Sequence, residues 1–384
     1  MGPYDDEIHD SHRVKLVNQI ASHVPSGEKV EPGFWAFIWL SSIDRLESFA
    51  AEFDKSHPHS RRTHYAVPTC TKALKLWTAR DRASQDLKAG EEANDKPTSV
   101  EAEMIERPRE RKQSIDRGRS RSRSPSKIPR LGTSQRATVL PASSPSPSTP
   151  QMIESPKGPL SWRGEAVQAK KFRRSATLPD KCRKRDNDTC LITRGGDCVD
   201  VCHIYPFSLA TKMGSTTHRS FWDILSFYWS KDQIRGWESI VLGSSRTETL
   251  PNVLCLARTV HGLWGMGRFA LKPISLSSDK TSLTVEFYWL RNYDYEFRRL
   301  DLPPCLQENV DSTSRGTRLV DCPTKICLES GDKLVFTTED PETLPLPSME
   351  LLELQWILNR LVSLSGAADV PDDVLDPDAP YDLG

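Results

Sequence analysis

From residue 83 to residue 159 the chain carries no Phe, Trp or Tyr and is built largely of charged residues, Ser and Pro. Such a stretch cannot bury enough apolar surface to offset the conformational entropy of ordering it. Any core must be drawn from the residues on either side. The chain therefore divides into a helical N-terminal region at 1–82, a disordered basic Pro/Ser-rich linker at 83–159, a folded α+β region at 160–366 and an acidic disordered tail at 367–384. Between residues 369 and 382 the tail has six aspartates and no basic residue, a pattern that suits an electrostatic competitor for a basic surface in cis.

The formal net charge is zero, with 52 basic and 52 acidic side chains, so basic character here is local. Residues 117–130 form an Arg-Ser run that reads as a nuclear address, a phosphorylation-controlled segment, a salt-dependent nucleic-acid contact or a plain solvated linker. Phosphate on the Ser-Pro steps at Ser124 and Ser144 would cancel part of that charge. A second basic cluster comprises Lys170, Lys171, Arg173, Arg174, Lys181, Arg183, Lys184 and Arg185, opposed by Asp180 and Asp186. Of these, Lys181, Arg183, Lys184 and Arg185 are the candidates for gripping the phosphate backbone of duplex DNA, with a solvated helical face as the competing reading. Nine cysteines without a disulfide-framework spacing, and no signal peptide, predict a reduced intracellular protein. The longest strongly apolar run, Phe34 to Leu40, is too short to span a bilayer.

In the N-terminal region Val14, Leu16, Val17, Ile20 and Ala21 recur at helical spacing, and a second helical stretch follows Pro32-Gly33. Trp35, Phe37, Trp39, Leu46 and Phe49 would supply the core of a small unit, which contains no chemical motif.

Two later pieces carry chemistry. In residues 189–203, two β-rich runs flank Gly195-Gly196, which predicts a tight hairpin delivering Cys202 and His203 to the end of its second strand, just before Pro206. In residues 252–261, Asn252 lies nine positions before His261, and the piece reads as a short turn leading into a helix.

These residues resemble the HNH endonuclease motif and are most similar to HNH-domain proteins of filamentous fungi. The resemblance is carried by Cys198 to Ser208 with its His-Ile-x-Pro step, by the Asn252 to His261 spacing, and by the extension from His261 to Pro273. It implies a ββα-metal core with an inserted helix and flanking strands, and metal-dependent hydrolysis of DNA phosphodiester bonds. It further implies His203 as general base with its ring held by a backbone carbonyl, Asn252 as the residue pinning the connecting loop, and His261 as a metal ligand. Histidine suits the base role because its unperturbed pKa lies near neutrality, and a cation stabilises charge developing on phosphate and leaving oxygen.

The family's second ligand position, usually Asp or His, is Cys202, and the position four after His261 is Gly265. Thiolate suits Zn²⁺ better than Mg²⁺ or Mn²⁺, which prefer hard oxygen ligands. The divalent ion is thus expected to be Mg²⁺ or Mn²⁺, with Zn²⁺ the softer alternative and Asp200 a carboxylate that could replace the thiol. Two other readings stay open: a catalytically inactive HNH-fold module that binds nucleic acid or a partner, and a structural zinc module using some of Cys190, Cys198, Cys202, Cys255 and His261.

Around the motif, Trp222, Leu225, Phe227 and Trp229 are expected to line a helix over the core. Residues 282–290 and 333–338 read as strands, and a final helix should run from an N-cap at Ser348 to a stop at Gly366.

Overall fold

The computed structural model describes residues 2–78, 174–243, 247–304, 310–371 and 375. The linker expected at 83–159, the Arg-Ser run, Lys170, Lys171, Arg173 and the last aspartates of the tail lie outside the described residues.

Among the described residues, the N-terminal region forms α1 (Asp5–Ile8), α2 (Ser11–Ala21), α3 (Pro32–Leu40), α4 (Ile43–Lys55), α5 (Pro58–Ala66) and α6 (Thr69–Thr78). The side chain of Asp10 caps α2 by accepting the N–H groups of His12 and Arg13. Glu31 caps α3 by accepting from Phe34, and Pro32 follows it at a position where its missing N–H does no harm. All nine residues of α3 are buried. A helix that is apolar all round needs cover on every side, and much of that cover comes from the other end of the chain.

After residue 174 the order is α7 (Leu178–Arg185), β1 (Val199–His203), α8 (Phe207–Ala210), α9 (Thr216–Tyr228), α10 (Lys231–Val241), a 3-10 turn (Leu250–Asn252), β2 (Val253–Ala257) and α11 (Arg258–Gly265). There follow β3 (Phe269–Leu276), β4 (Ser282–Trp289), β5 (Val320–Asp321), β6 (Ile326–Cys327), β7 (Asp332–Thr337) and α12 (Met349–Ser365). Strands β3, β4 and β7 form an antiparallel sheet in that order, and the strand-like runs at 282–290 and 333–338 supply two of them. Helix α12 starts at Ser348, whose hydroxyl accepts from Leu351 N, and ends at Gly366 with φ 70°. It packs on β3, α3, α6 and α10, and nearly every residue from Leu351 to Ser365 is buried.

One hydrophobic cluster joins Phe34, Trp39 and Trp77 of the N-terminal helices to Trp237, Trp264, Phe287 and Leu358. The N-terminal helices and the C-terminal elements therefore share one core and fall within one compact unit. Two polar side chains of α12 finish the sheet edge. Asn359 donates to Phe269 O at 2.9 Å and accepts Trp77 Nε1–H at 2.9 Å, while Gln355 accepts Leu271 N–H at 3.2 Å. Main-chain groups on the open edge of β3 are thereby satisfied from the helix.

The hairpin expected around Gly195-Gly196 does not form. Strand β1 pairs antiparallel with β2, from Val199 opposite Ala257 to His203 opposite Val253, across an intervening segment that holds α8, α9 and α10. Residues 191–193 form a turn, closed by Cys190 N to Gly195 O and Arg194 N to Cys190 O, both 2.8 Å. The left-handed conformations fall on Arg194 (φ 55°) and Cys198 (φ 54°), not on the two glycines. Residues 253–257, read as a turn, form the partner strand.

Asn359→Ala would remove its hydrogen bonds with the Trp77 N–H and the Phe269 carbonyl in the core, and should lower stability by about 2–3 kcal/mol in chemical denaturation. A chain lacking residues 1–82 would expose the α3 and α6 side of α12. It should lose cooperative unfolding and bind hydrophobic dye, and co-expression of residues 1–82 in trans should restore both properties.

Candidate active site

Strands β1 and β2 with α11 form a ββα unit in which α11 packs against both strands. The 3-10 turn before β2 buries Asn252. Its Oδ1 accepts Tyr205 N–H at 2.7 Å, and its Nδ2 donates to Thr247 O at 2.8 Å and Tyr205 O at 3.3 Å. With Ile204 N donating to the Asn252 main-chain carbonyl at 2.8 Å, this one residue ties the exit of β1 to the approach to β2.

His203 is the last residue of β1. Its Nε2 lies 2.7 Å from Glu248 Oε1, with the two side chains 14% and 12% exposed. A carboxylate is therefore one partner of this ring. Glu248 Oε2 accepts Ser175 N–H at 2.8 Å. Burial alone would push the Glu248 carboxyl up, but the hydrogen bonds from His203 and Ser175 outweigh it and hold the group below the ordinary carboxylate range. Beside this pair, Phe207 stands 5.7 Å from the His203 ring centroid, and the Arg174 guanidinium lies 4.9 Å from the Phe207 centroid.

His261 sits on α11 with Nδ1 3.2 Å from Asp200 Oδ2, and Arg258 Nε lies 3.6 Å from Asp200 Oδ1. The Asp200 and His261 side chains are 36% and 22% exposed, so this pair can meet a solute. Cys202 belongs instead to the main hydrophobic cluster at 1% exposure. The side chain set against His261 is Asp200, which lies toward the α11 end of the strand, while Cys202 is drawn into the core at the register position opposite Leu254. An oxygen and an imidazole nitrogen suit a hard divalent cation better than the thiol would.

Of the basic residues on α7, Lys181 and Lys184 are exposed and Arg183 is half-buried, donating to Val199 O at 2.7 Å. Arg185 cannot reach a nucleic acid. Its side chain is fully buried and pairs with Asp186 at 2.7 Å, and it donates to Leu250 O, Val253 O and Pro345 O at 2.9, 2.7 and 3.0 Å. Long charged residues go to the interior only when paired and fully hydrogen-bonded, as here.

Among the described residues, the one group of three side chains close enough to share an ion is Cys182, Asp186 and Cys255, all buried. It has only Cys255 in common with the zinc set considered from the sequence. Cys182 Sγ stands 3.7 Å from Cys255 Sγ and 3.6 Å from Asp186 Oδ2. The Asp186 carboxylate, however, already accepts from Arg185 through both oxygens and from Cys255 N at 2.9 Å. The hydrogen bond with Cys255 and burial push the Cys182 thiol far above the ordinary thiol range. The cluster is that of two thiols packed over a buried ion pair.

Glu248 was not singled out from the sequence. Its only signal is a carboxylate four residues before Asn252, a spacing that means nothing until β1 and β2 are paired.

With this geometry in place, the comparisons can be read. Residues 190–272 match a family model described as HNH endonuclease, a span that contains β1, the 3-10 turn, β2 and α11. No curated protein and no solved structure matches the chain. The match supports an HNH-type domain of nuclease character in this minority of the chain, within a mixed α and β fold. No helix among the described residues is long and apolar enough to cross a membrane.

Behind the motif, Tyr205 Oη and Trp222 Nε1 both point at Nε2 of the buried His218, at 3.1 and 3.3 Å. Burial lowers the His218 pKa to about 4. Since the unfolded chain takes up this proton near the ordinary value of about 6.5, its contribution to stability is complete above that pH and is lost as pH falls toward 4. Wild-type stability should drop by about 2–3 kcal/mol more than that of His218→Gln between pH 7 and pH 4, measured by urea denaturation at each pH.

Proposed function

We propose that the chain is a metal-dependent HNH-type endonuclease that hydrolyses DNA phosphodiester bonds. The observation that carries this reading is the joint placement, inside the segment matched by the HNH endonuclease family model, of a buried Asn252 clamp, a carboxylate-paired His203 and a half-buried Asp200–His261 pair. Asp200 and His261 would hold the divalent ion, Mg²⁺ or Mn²⁺ in preference to Zn²⁺ because Asp200 supplies a hard oxygen. When bound, that ion supplies the cationic stabilisation that a phosphodiester needs as charge develops on phosphate and leaving oxygen.

His203 acts as the general base, taking the proton of the attacking water. Asn252 keeps the strand end in register so that His203 does not drift from its position. Exposed Lys181 and Lys184, with Arg183 at their side, grip the duplex backbone, and Arg174 and Arg258 extend the positive surface to the two polar pairs. Arg185 has no part in DNA contact, and Cys202 none in metal binding.

The test is nicking of supercoiled plasmid by the full chain with Mg²⁺, Mn²⁺ or Zn²⁺ and a chelator control. His203→Ala should lower the rate by about 100-fold or more. Asp200→Asn should raise the metal concentration needed by about 10-fold or more, while Cys202→Ser leaves it unchanged. Folded protein that binds plasmid and leaves it intact with all three ions would replace this reading with that of a nucleic-acid-binding module.

A further inference from the structure

We propose that Glu248 is the positioning residue of the site, fixing both the orientation and the tautomer of the His203 ring. The catalytic consequence rests on the nuclease reading above, whereas the pairing itself rests on geometry. A neutral imidazole carries hydrogen on one nitrogen only, so a carboxylate oxygen 2.7 Å from Nε2 selects the Nε2–H tautomer and places the lone pair on Nδ1. A general base needs such a choice to be made before the water arrives, because the wrong tautomer offers a donor where an acceptor is wanted.

Glu248 is itself held from both sides. Its second oxygen accepts the N–H of Ser175, and the carbonyl of the preceding residue, Thr247, accepts from Asn252 Nδ2. Asn252 therefore fixes the strand end that bears His203 and the backbone next to Glu248 with one amide group. Phe207 bounds the imidazole on a further side. With backbone and both carboxylate oxygens engaged, rotation of Glu248 away from His203 means giving up the Ser175 bond as well.

The experiment uses the full-length protein labelled with ¹⁵N at its histidines, of which there are nine, with the His203 ring assigned by comparison with His203→Gln. Wild type should give the Nε2–H pattern. Glu248→Ala should give a ring without a dominant tautomer, and Glu248→Gln, which still offers an acceptor oxygen, should restore the wild-type pattern. In plasmid nicking, Glu248→Ala should lower kcat by about 10- to 100-fold with KM within about twofold, and Glu248→Gln should recover part of the loss.

A His203 tautomer and a kcat both unaltered in folded Glu248→Ala would overturn the proposal. So would a kcat loss in Glu248→Ala that is matched in Glu248→Gln while the ring pattern is wild type in both. If the ring follows Glu248 as described and the wild-type protein cuts no DNA with any ion, the positioning role stands and the nuclease reading falls.

Discussion

The buried Arg185–Asp186 pair sets the positions on which the site depends. Arg185 donates to the carbonyls of Leu250 and Val253, which bracket the Asn252 turn, and to that of Pro345 in the approach to α12. Asp186 accepts Cys255 N–H in the middle of β2. Helix α7 is thus fastened to the start of β2 at several main-chain points by two adjacent side chains. A buried pair of this kind adds little net stability over an apolar replacement. Its contribution is to specify one placement of α7, β2 and the segment before α12, since each guanidinium donor faces a defined carbonyl.

From that anchor the arrangement of the site follows in steps. The held turn presents the Asn252 amide to Tyr205 and Thr247, which sets the exit of β1 and the backbone beside Glu248. His203 then meets Glu248 at the strand end, while Asp200, three residues earlier on β1, meets His261 on α11. One short strand therefore carries both a carboxylate partnered to an imidazole and an imidazole partnered to a carboxylate. The Asp200–His261 pair is the more open of the two and the His203–Glu248 pair the more enclosed.

Much of this was legible in the residues. The capped and Gly-stopped α12, the strands after Pro273, the aromatic helix α9 and the His203, Asn252, His261 triple all follow local rules of capping, alternation and motif spacing. What was not legible depends on partners distant in the chain. Gly195-Gly196 signals a hairpin, yet the pairing energy of β1 lies with residues 253–257, whose continuous apolar run marks a strand buried on both faces. Arg185 reads as surface by its charge, because nothing local announces the three carbonyls waiting for it. Cys202 reads as a ligand from its place beside His203, but thiols are among the side chains most at home in a core. The apolar α3 did carry a legible hint that went beyond a small helical unit, since a helix without a polar face has to be covered from all sides.

That hint bears on how the site is supported. The segment matching the HNH family contains the ββα unit and reaches only into β3. The open edge of β3 is satisfied by Gln355 and Asn359 of α12, and Asn359 also engages Trp77 of α6. Helix α12 in turn is covered by α3, whose own cap Glu31 accepts from Thr71 and Phe34. Burial raises the Glu31 pKa even against those hydrogen bonds, the mark of a carboxyl placed where water cannot compensate it. The ββα unit is therefore not a free-standing module with helices appended. It rests on a core assembled from both sides of the 83–159 stretch, so residues far from His203 in sequence govern whether the strand that carries it is formed at all.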